Sequence, residues 1–470
     1  MIAQPTSFVR RLVARLAVFA ILSTVVVVAH TVRWGRRLLG WRRTSGDPRR
    51  LLMLGTFYNV GWFRAHVGPL AACGRLDEVI VLSDEPAMMP AVPGTATVTC
   101  ACPPRWLKRV AGRSVARALW LMVVARRHRP AVLMGYHIMP NALLCLVAAR
   151  LCGLRAVYQM TGGPVQIVGG GFGSENRLLR YLGGPSRVLE ALIFHVVRQF
   201  DAVIVRGERA AAFVRDNRLA TAIAVLTAGV DTERFSPRVS SVDHAPALGS
   251  PGVPPVGNSP HDYDLVTVGR LVECKRPERF VEIVAALLRR RPGTRAAIVG
   301  DGPLAGDLRD RARWLGLNGE LAFLGRRDDV PEILRRSRLF ILTSRNEGVS
   351  IALLEAFAAG LPAAAPNVGD LADFVRPDET GMFIDPADVE ATAARLVELL
   401  DDPERLARMS RAARRTAEQR CSISALAARW EQLLETLQGV PATRKTGETP
   451  MSPTKTGETP MLPIHTVTPS

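Results

Sequence analysis

The stretch that decides the fold is 344–356, which reads SRNEGVSIALLEA and follows the apolar run 339–342. A short buried run, a turn and an apolar helical pattern predict a parallel strand and the helix after it. Gly348 permits the turn, and Val349 and Ser350 begin the predicted helix. Ligands of open α/β sheets bind at the carboxyl ends of strands, where free N–H groups of a helix start suit a phosphate.

Two carboxylates frame this helix start. Glu347 precedes it and Glu355 follows within it. Eight residues at helical rise separate them by about 12 Å, the scale of a nucleoside diphosphate with a sugar at one end and a ribose at the other. Two solvated surface carboxylates are the alternative, but the flanking glycine and the apolar face of Ile351, Leu354 and Ala358 favour a ligand site.

A second loop carries two cations. Residues 268–275 read VGRLVECK and follow another predicted strand, 265–268. Arg270 and Lys275 on one strand-to-helix loop could clamp a diphosphate and offset the charge that builds on it as a leaving group. Lys275 stands out because the chain has 57 Arg and four Lys, and only Lys108 and Lys275 lie in the predicted globular region.

The rest of the chain alternates apolar runs with amphipathic stretches, which is typical of parallel α/β domains. The predicted strands cover 51–54, 78–82, 131–134, 156–159, 202–205, 222–226, 265–268, 296–299, 321–324 and 339–342. The predicted helices cover 110–127, 141–151, 178–199, 277–290, 304–315, 331–335, 349–359, 389–400, 404–418 and 424–437. Two Rossmann-like halves result, joined by the Pro-, Gly- and Ser-rich stretch 237–260.

Composition excludes several classes of protein. A chain of 470 residues that is 48% hydrophobic buries a sizeable core, and seven cysteines without a CxxC exclude a disulfide scaffold and a zinc ribbon. The net charge is +18, but ten Arg and one Asp fall in the first 50 residues. No basic stripe interleaved with aromatic residues follows, so nucleic acid is not an expected partner.

The N-terminal segment has 17 residues without a formal charge, 16–32, between arginine clusters. Three interpretations compete: a membrane anchor or interfacial helix, a cleaved signal peptide, and an overcalled start upstream of a soluble domain. The length lies near the lower limit for a spanning helix, and no small-residue cleavage site is evident. We favour the anchor, with the heavier arginine cluster after it holding the body at the cytoplasmic face of the membrane.

Residues 268–400 resemble the donor half of the retaining glycosyltransferases of family 4, which have the GT-B fold. The matching segments are Gly269-Arg270-Leu271 with Lys275, Gly300-Asp301-Gly302-Pro303, Phe323-Leu324-Gly325, the pair Glu347 and Glu355, and Ala359-Gly360-Leu361-Pro362. Residues 228–235, AGVDTERF, resemble the family's NGVD linker motif, with Ala228 where Asn is frequent. Asp373 stands where that family often has Glu.

The resemblance implies transfer of a sugar, with retention of configuration, from a UDP- or GDP-linked donor without a metal. The acceptor would be a sugar or a lipid-linked glycan or polysaccharide precursor. It implies that Glu347 contacts the donor sugar, that Glu355 contacts the ribose, and that Arg270 and Lys275 hold the diphosphate. The remaining expected nucleotide contacts are Gly269, Gly302, Gly325, Arg326, Gly348, Val349 and Ser350, with the backbone near 325–326 meeting the base.

The first half is less explicit. Gly61 lies in a predicted loop after strand 51–54, where a backbone that approaches a diphosphate would need small residues. His137 follows strand 131–134 and resembles the family's His near the donor sugar, although a lone His is as often structural. Thr161 and Gly162 stand where many members have His-Gly. The glycine-rich loop 161–176 either lines the acceptor side or is a crossover that touches nothing.

We therefore expect 1–47 to associate with the membrane, 48–236 to form an acceptor domain and 237–262 a linker. Residues 263–440 would form the nucleotide-sugar domain, and 441–470, which repeats KTGETPM, a disordered tail. A sugar-nucleotide epimerase of the same architecture and a noncatalytic membrane-tethered scaffold are the rival functions. The DxD at 262–264 precedes its strand and is rejected as a metal site, and 300–303 lacks the third Gly of a dinucleotide fingerprint.

Overall fold

The computed structural model describes residues 6–39, 46–57, 59–84, 89–173, 179, 182–237, 261–438 and 465–466. They belong to two compact units, one drawn from 1–226 and 427–470 and the other from 227–426. Each unit is built around a parallel sheet with helices, so the predicted α/β class is confirmed.

The first unit contains an eight-stranded sheet in the order β14-β7-β6-β5-β4-β1-β2-β3, parallel except for β14. Its strands are β1 Asp47–Leu54, β2 Glu78–Leu82, β3 Thr97–Ala101, β4 Pro130–Tyr136, β5 Arg155–Gln159, β6 Ala202–Val205, β7 Ala222–Val225 and β14 His465–Thr466. Its helices are α1 Thr6–Leu39, α2 Val60–Ala71, α3 Arg105–His128, α4 Leu143–Cys152, α5 Arg187–Val197, α6 Glu208–Asp216 and α13 Ile423–Gln438. The central strands are apolar runs buried on both faces, as parallel sheets require.

The second unit contains a six-stranded parallel sheet in the order β10-β9-β8-β11-β12-β13. Its strands are β8 Tyr263–Val268, β9 Ala296–Val299, β10 Leu321–Gly325, β11 Ser337–Ile341, β12 Ala363–Ala365 and β13 Gly381–Phe383. Its helices are α7 Pro277–Arg290, α8 Ala305–Trp314, α9 Val330–Arg335, α10 Ile351–Ala358, α11 Val389–Leu400 and α12 Pro403–Arg420.

Helix α7 illustrates why the local sequence was informative in this unit. Pro277 occupies the first turn, where its missing N–H costs nothing, Glu278 lies at the positive end and Arg290 at the negative end. Phe280 and Val284, one turn apart, are fully buried. Propensity, end charges and periodicity agree, and the observed bounds equal the predicted ones.

Four of the described strands, β3, β12, β13 and β14, were not predicted, and each depends on pairing rather than on a hydrophobic pattern. Strand β3 is an edge strand with partly exposed residues, so it has no buried apolar run. Strand β12 is three alanines, which have low strand propensity, and it forms between β11 and β13.

The long helix predicted over 178–199 is wrong over 182–186, because α5 begins only at Arg187, and its residues 178, 180 and 181 lie outside the described residues. Gly183 and Gly184 adopt φ of 73° and 156°, which a helix excludes. Ser186 then caps the helix by accepting a hydrogen bond from the Leu189 N–H at 3.4 Å.

The C-terminal boundary differs from the predicted second domain, 263–440, because α13 belongs mostly to the first unit. Glu431 Oε1 accepts from the Gly74 N–H at 2.9 Å, and Glu435 pairs with Arg75. These long-range contacts cannot be deduced from the amphipathic pattern of the helix.

The segment 227–237, predicted to end the first domain, belongs to the second unit. Arg414 of α12 donates to the carbonyl oxygens of Thr232 and Phe235, both at 2.9 Å, and Val230 forms a bridge with Ser422. Through these hydrogen bonds, the AGVDTERF motif is held on the unit that carries the other matched segments.

Some predictions fall outside the described residues. These are 238–260 of the linker, Glu175 and Asn176 of the glycine-rich loop, and all of the tail except β14. Strand β14 pairs antiparallel with β7, His465 opposite Ile223. Disorder of the remaining tail stays a prediction.

Candidate functional site

The second sheet has its topological switch point between β8 and β11, since β9 and β10 lie to one side and β12 and β13 to the other. Connections leave these two neighbouring strands in opposite directions, and a crevice opens at their carboxyl ends. The loops after β8 and β11 are those that carry the predicted cations and carboxylates.

Hydrogen bonds to backbone carbonyl groups join these two loops. Thr343 Oγ1 donates to the carbonyl oxygens of Lys275 at 3.0 Å and Arg276 at 2.9 Å, and Arg276 Nε donates to the Thr343 carbonyl at 2.9 Å. The Arg345 N–H donates to the Cys274 carbonyl at 2.9 Å. The side chains that the loops carry are thus held on one rigid frame.

Lys275 and Glu347 form an ion pair across this frame. Ser344 Oγ also donates to Glu347 Oε1, at 2.8 Å. The Glu347 side chain is 8% exposed and that of Lys275 26%. A charge pair so shielded from water interacts strongly, and part of the Lys275 side chain still faces solvent.

Gly369 supports Glu347 from behind. Its φ is 53°, and a Cβ at this position would overlap the carbonyl oxygen of Glu347. Only glycine therefore fits here without displacing the Glu347 backbone. The sequence analysis had noted Asp373, four residues further on, and had missed this contact.

Helix α10 begins at Ile351 rather than at the predicted Val349. Ser350 is the N-cap residue, and its side chain makes no capping hydrogen bond. The first N–H groups of the helix consequently lie at the carboxyl end of β11 without a side-chain cap, next to the buried Gly348. This arrangement suits an anion.

Glu355 lies little more than one turn into α10. Burial raises the pKa of its carboxyl group to about 7, and the positive charge of Arg234 opposes part of that rise. Arg234 comes from the fastened 227–237 segment, where its Nη2 donates to the Asp328 carbonyl at 3.3 Å. Sequence analysis assigned no role to Arg234, although it lies within the quoted motif.

The loops after β8, β9 and β10 meet at the same edge of the sheet. The Gly300 N–H donates to the Gly325 carbonyl at 2.7 Å, and Gly302 lies against the carbonyl of Leu271. At Gly300, φ is 136° and a Cβ would overlap the Gly269 carbonyl oxygen. These close approaches hold the backbones of the three loops against one another at this edge.

Two predicted contacts, Arg270 and Arg326, follow Gly269 and Gly325 directly, and both are exposed at this edge. The structure therefore brings all the predicted residues of the second unit to the carboxyl ends of β8, β9, β10 and β11. The switch point, the uncapped helix and the Lys275–Glu347 pair coincide there.

His137 lies in the first unit, at the carboxyl end of β4. Its Nδ1 accepts from Gln166 Nε2 at 2.6 Å and lies 3.0 Å from Thr161 Oγ1. Tyr158 Oη donates to Gln166 Oε1 at 3.1 Å, which orients the amide. Because Nδ1 accepts, the neutral ring carries its proton on Nε2. Sequence analysis missed Gln166, which lies in a loop without periodicity.

Gly61 does not lie in a loop. It is in the first turn of α2, which Asn59 caps by accepting from the Trp62 N–H at 2.7 Å. One turn on, buried His66 donates from Nδ1 to the Trp62 carbonyl at 2.7 Å and accepts from Arg206. Burial, and secondly the charge of Arg206, lower the pKa of His66 well below its ordinary value. These contacts were not predicted either.

The DxD stretch lies at the amino end of β8, as expected. Asp262 pairs with Arg336 at 2.7 Å and Asp264 with Arg338 at 2.8 Å, so both carboxylates serve ion pairs there. Within the described ranges, no group of three or more His, Cys, Asp or Glu side chains is placed to hold a metal ion.

Comparison with known proteins agrees with this geometry. Residues 255–416 match the family described as "Glycosyl transferases group 1". The lipopolysaccharide core biosynthesis mannosyltransferase LpsB of Rhizobium meliloti (strain 1021) is 31% identical over 222 residues, 46% of this chain and 60% of that protein. The UDP-Gal:alpha-D-GlcNAc-diphosphoundecaprenol alpha-1,3-galactosyltransferase of Escherichia coli is 32% identical over 183 residues, 38% of this chain and 46% of that protein. The chain thus matches about half the length of these relatives.

Solved structures resemble most of the chain. The crystal structure of Anabaena Alr3699/HepE in complex with UDP has a TM-score of 0.59 at 16% identity, covering 83% of this chain and 100% of that one. Sucrose-phosphate synthase from Thermosynechococcus elongatus has a TM-score of 0.61 at 16% identity, with the same coverage. The likeness establishes the GT-B fold, as the resemblance implied.

Proposed function

We propose that this chain is a glycosyltransferase that moves a sugar from a nucleotide-sugar donor to an acceptor with retention of configuration. The observation that carries the proposal is the Lys275–Glu347 pair beside the uncapped start of α10. A cation and free helix N–H groups at a switch point suit a diphosphate, and a shielded carboxylate beside them suits sugar hydroxyls. The match to "Glycosyl transferases group 1" supports the same reading.

The roles of the residues follow from the charges that develop. Departure of the sugar leaves an oxocarbenium-like centre and a diphosphate with growing negative charge. Arg270, Lys275 and the start of α10 would stabilise the diphosphate, and such preorganised groups supply large rate effects. Glu347 would bind the sugar hydroxyls, and Glu355 would accept from the ribose hydroxyls. None of these steps requires a metal, so we propose that none is used.

In the first unit, His137 would present its Nε2–H to the donor sugar, held in that tautomer by Gln166. The acceptor would be a sugar or a lipid-linked glycan or polysaccharide precursor, since the E. coli relative is named for a diphosphoundecaprenol acceptor. The described helical segment Arg11–Gly35 is long and apolar enough to cross a membrane, and an 18-residue window within it has a mean hydropathy of 2.5. We propose that it holds the chain at the cytoplasmic face.

A thermal-shift screen of UDP-, GDP- and other nucleotide sugars identifies the donor, because a ligand stabilises the fold according to its occupancy. We expect one nucleotide series to stand out. If no nucleotide sugar binds in calorimetry, the chain is a noncatalytic scaffold and the proposal is wrong. Release of free nucleoside diphosphate with an epimerised sugar and no acceptor product would instead indicate an epimerase.

The stereochemistry has its own test. Slow hydrolysis of the donor without acceptor releases a free sugar whose first anomer is visible by proton NMR. The donor's own configuration is expected, and the opposite anomer would exclude retention. Arg270→Ala should lower turnover by about 10²-fold, the scale of a lost oxyanion donor. Arg313→Ala, an equal charge change on the exposed face of α8, should leave turnover unchanged.

A further inference from the structure

Helix α1 does not stand free of the first unit. Its residues Ala14, Val18, Leu22, Val25 and Ala29 recur at helical spacing and are buried. The first four belong to the hydrophobic core that the sheet of this unit also lines. The helix packs on α4 and α5. The buried stripe runs over the sixteen residues 14–29, a length of about 22 Å and most of the apolar segment.

Polar contacts at both ends of the buried stripe also hold α1 on the first unit. Arg15 Nε donates to the Leu182 carbonyl at 3.1 Å. His30 stacks on His195 of α5, with Nε2 atoms 3.0 Å apart. A helix that crosses a bilayer alone is surrounded by lipid along its length. If α1 crossed a bilayer in this docked position, α4 and α5 would also have to enter the hydrocarbon layer.

The opposite face of α1 is apolar and exposed. Leu16, Val27 and Trp34 lie on one line along the helix and are 60%, 61% and 67% exposed. Helix α1 therefore carries apolar side chains on two opposite sides, one buried against the first unit and the other exposed. That pattern is typical of a helix lying in a membrane interface with a folded domain above it.

A second helix of the first unit also exposes apolar side chains. Helix α3 is interrupted at Gly112, whose φ of 74° and ψ of 162° are not helical. Before Gly112, Trp106 and Val110 are 65% and 82% exposed, and after it Val115, Leu119 and Val123 form an exposed line one turn apart. Buried residues on the other side of α3, among them Leu121 and Val124, join the core that holds α1. Both helices pack on α4, on one side of the sheet.

Charge identifies the occupant of this surface. The sequences of α1 and α3 contain 13 Lys and Arg residues and no Asp or Glu. Arg105, Arg109 and Arg113 are exposed beside the apolar line of α3. Anionic headgroups attract such residues by about fivefold in affinity for each Lys or Arg near the surface. Exposed tryptophans are also typical of the interfacial zone.

We infer that the exposed faces of α1 and α3, the membrane face, bind an anionic lipid bilayer together, with α1 lying in its plane rather than spanning it. The inference deepens the membrane association proposed above. Binding is measured without turnover, so it can fail while glycosyl transfer stands, and the reverse also holds.

Flotation of the full chain with vesicles tests the composition dependence. We expect phosphatidylcholine vesicles containing 30% phosphatidylglycerol to bind at least about tenfold more tightly than phosphatidylcholine alone. The double variant Trp106→Ser, Val110→Ser should weaken binding by about tenfold or more with unchanged melting temperature, because both side chains are exposed. Trp314→Ser on α8, 81% exposed in the other unit, is the matched control and should bind as the parent does.

Equal binding of the α3 double variant and the parent overturns the role of α3. Equal binding to neutral and anionic vesicles overturns the choice of an anionic bilayer. A vesicle-free dimer that the double variant converts to a monomer shows that a second copy covers this face, which also overturns the proposal.

The orientation of α1 needs a separate measurement. His30→Cys with His195→Cys places two thiols where the rings now stack, within reach of a short bis-maleimide. We expect the 30–195 cross-link, mapped by mass spectrometry, to form on vesicle-bound protein and the cross-linked chain to float as well as the parent. The control is each variant that carries only one of the two substitutions, which keeps the seven native cysteines but lacks the 30–195 pair. A cross-link that forms only in solution, or that abolishes vesicle binding, shows that α1 leaves the domain to span.

Discussion

Replacing Glu355 by Gln should stabilise the protein in a pH-dependent way while weakening nucleotide binding. Burial raises the pKa of this carboxyl from its ordinary 4.5 to about 7. The folded chain therefore holds a proton that the unfolded chain loses between these values, and the free energy of unfolding falls as pH rises through this window. Above pH 7 the full cost is present, and a pKa difference of about 2.5 corresponds to about 3 kcal/mol.

Glutamine keeps the shape and removes the charge. Its amide is still a partly buried polar group, so we expect a gain of about 1–3 kcal/mol at pH 8 and almost none at pH 5. For a unit of 150–250 residues this is a rise of about 2–12 °C in melting temperature. Scanning calorimetry of the full chain measures it, and the transition that UDP or GDP shifts identifies the second unit.

Glu398→Gln on the exposed face of α11 is the matched control and should stay within about 0.5 kcal/mol of the parent at both pH values. Affinity for the nucleoside diphosphate should fall in Glu355→Gln, because the amide replaces a charged acceptor of ribose hydroxyls. A stability change that is the same at pH 5 and pH 8, or a loss of stability at pH 8, would refute the reasoning.

Three further outcomes concern turnover and the docking of α1. Lys275→Ala should cut turnover by about 10²-fold. Glu347→Ala should impair turnover with diphosphate affinity nearly unchanged, because the nucleoside diphosphate has no sugar. Steady-state kinetics measures the turnover and calorimetry measures the diphosphate affinity. Gln166→Leu should let the His137 proton move to Nδ1, visible in nitrogen-15 shifts of the ring, with turnover lowered about tenfold; an unchanged tautomer with lower turnover would contradict the positioning role. Deleting residues 1–45 should lower the melting temperature of the first unit by removing the fully buried Val18 and Leu22, about 3–6 kcal/mol together. A free anchor could be removed without that loss, so an unchanged melting temperature would show that α1 is not docked.

Helices and strands could be predicted from the sequence alone where several local signals agree. Residues 277–290 carry a helix start, an apolar stripe and end charges, and residues 296–299 are a short run buried on both faces; both were predicted with the observed bounds. The predicted residues of the second unit were also found at one edge, because the carboxyl ends of parallel strands must lie together. Periodicity and topology are local or general rules, so they can be read without coordinates.

Features that depend on residues far apart in the chain were found only in the tertiary structure. The three alanines of β12 form a strand because β11 and β13 flank them, and α13 joins the first unit through Gly74 and Arg75. The pKa of Glu355 depends on how completely α10 is covered, and the tautomer of His137 on an amide 29 residues away. The sequence shows that residues 16–32 are apolar. Only the packing of α1 on α4 and α5 shows that this helix is docked on the first unit rather than free. Burial and hydrogen bonding are properties of neighbours in space, and the order of residues along a chain does not specify those neighbours one by one.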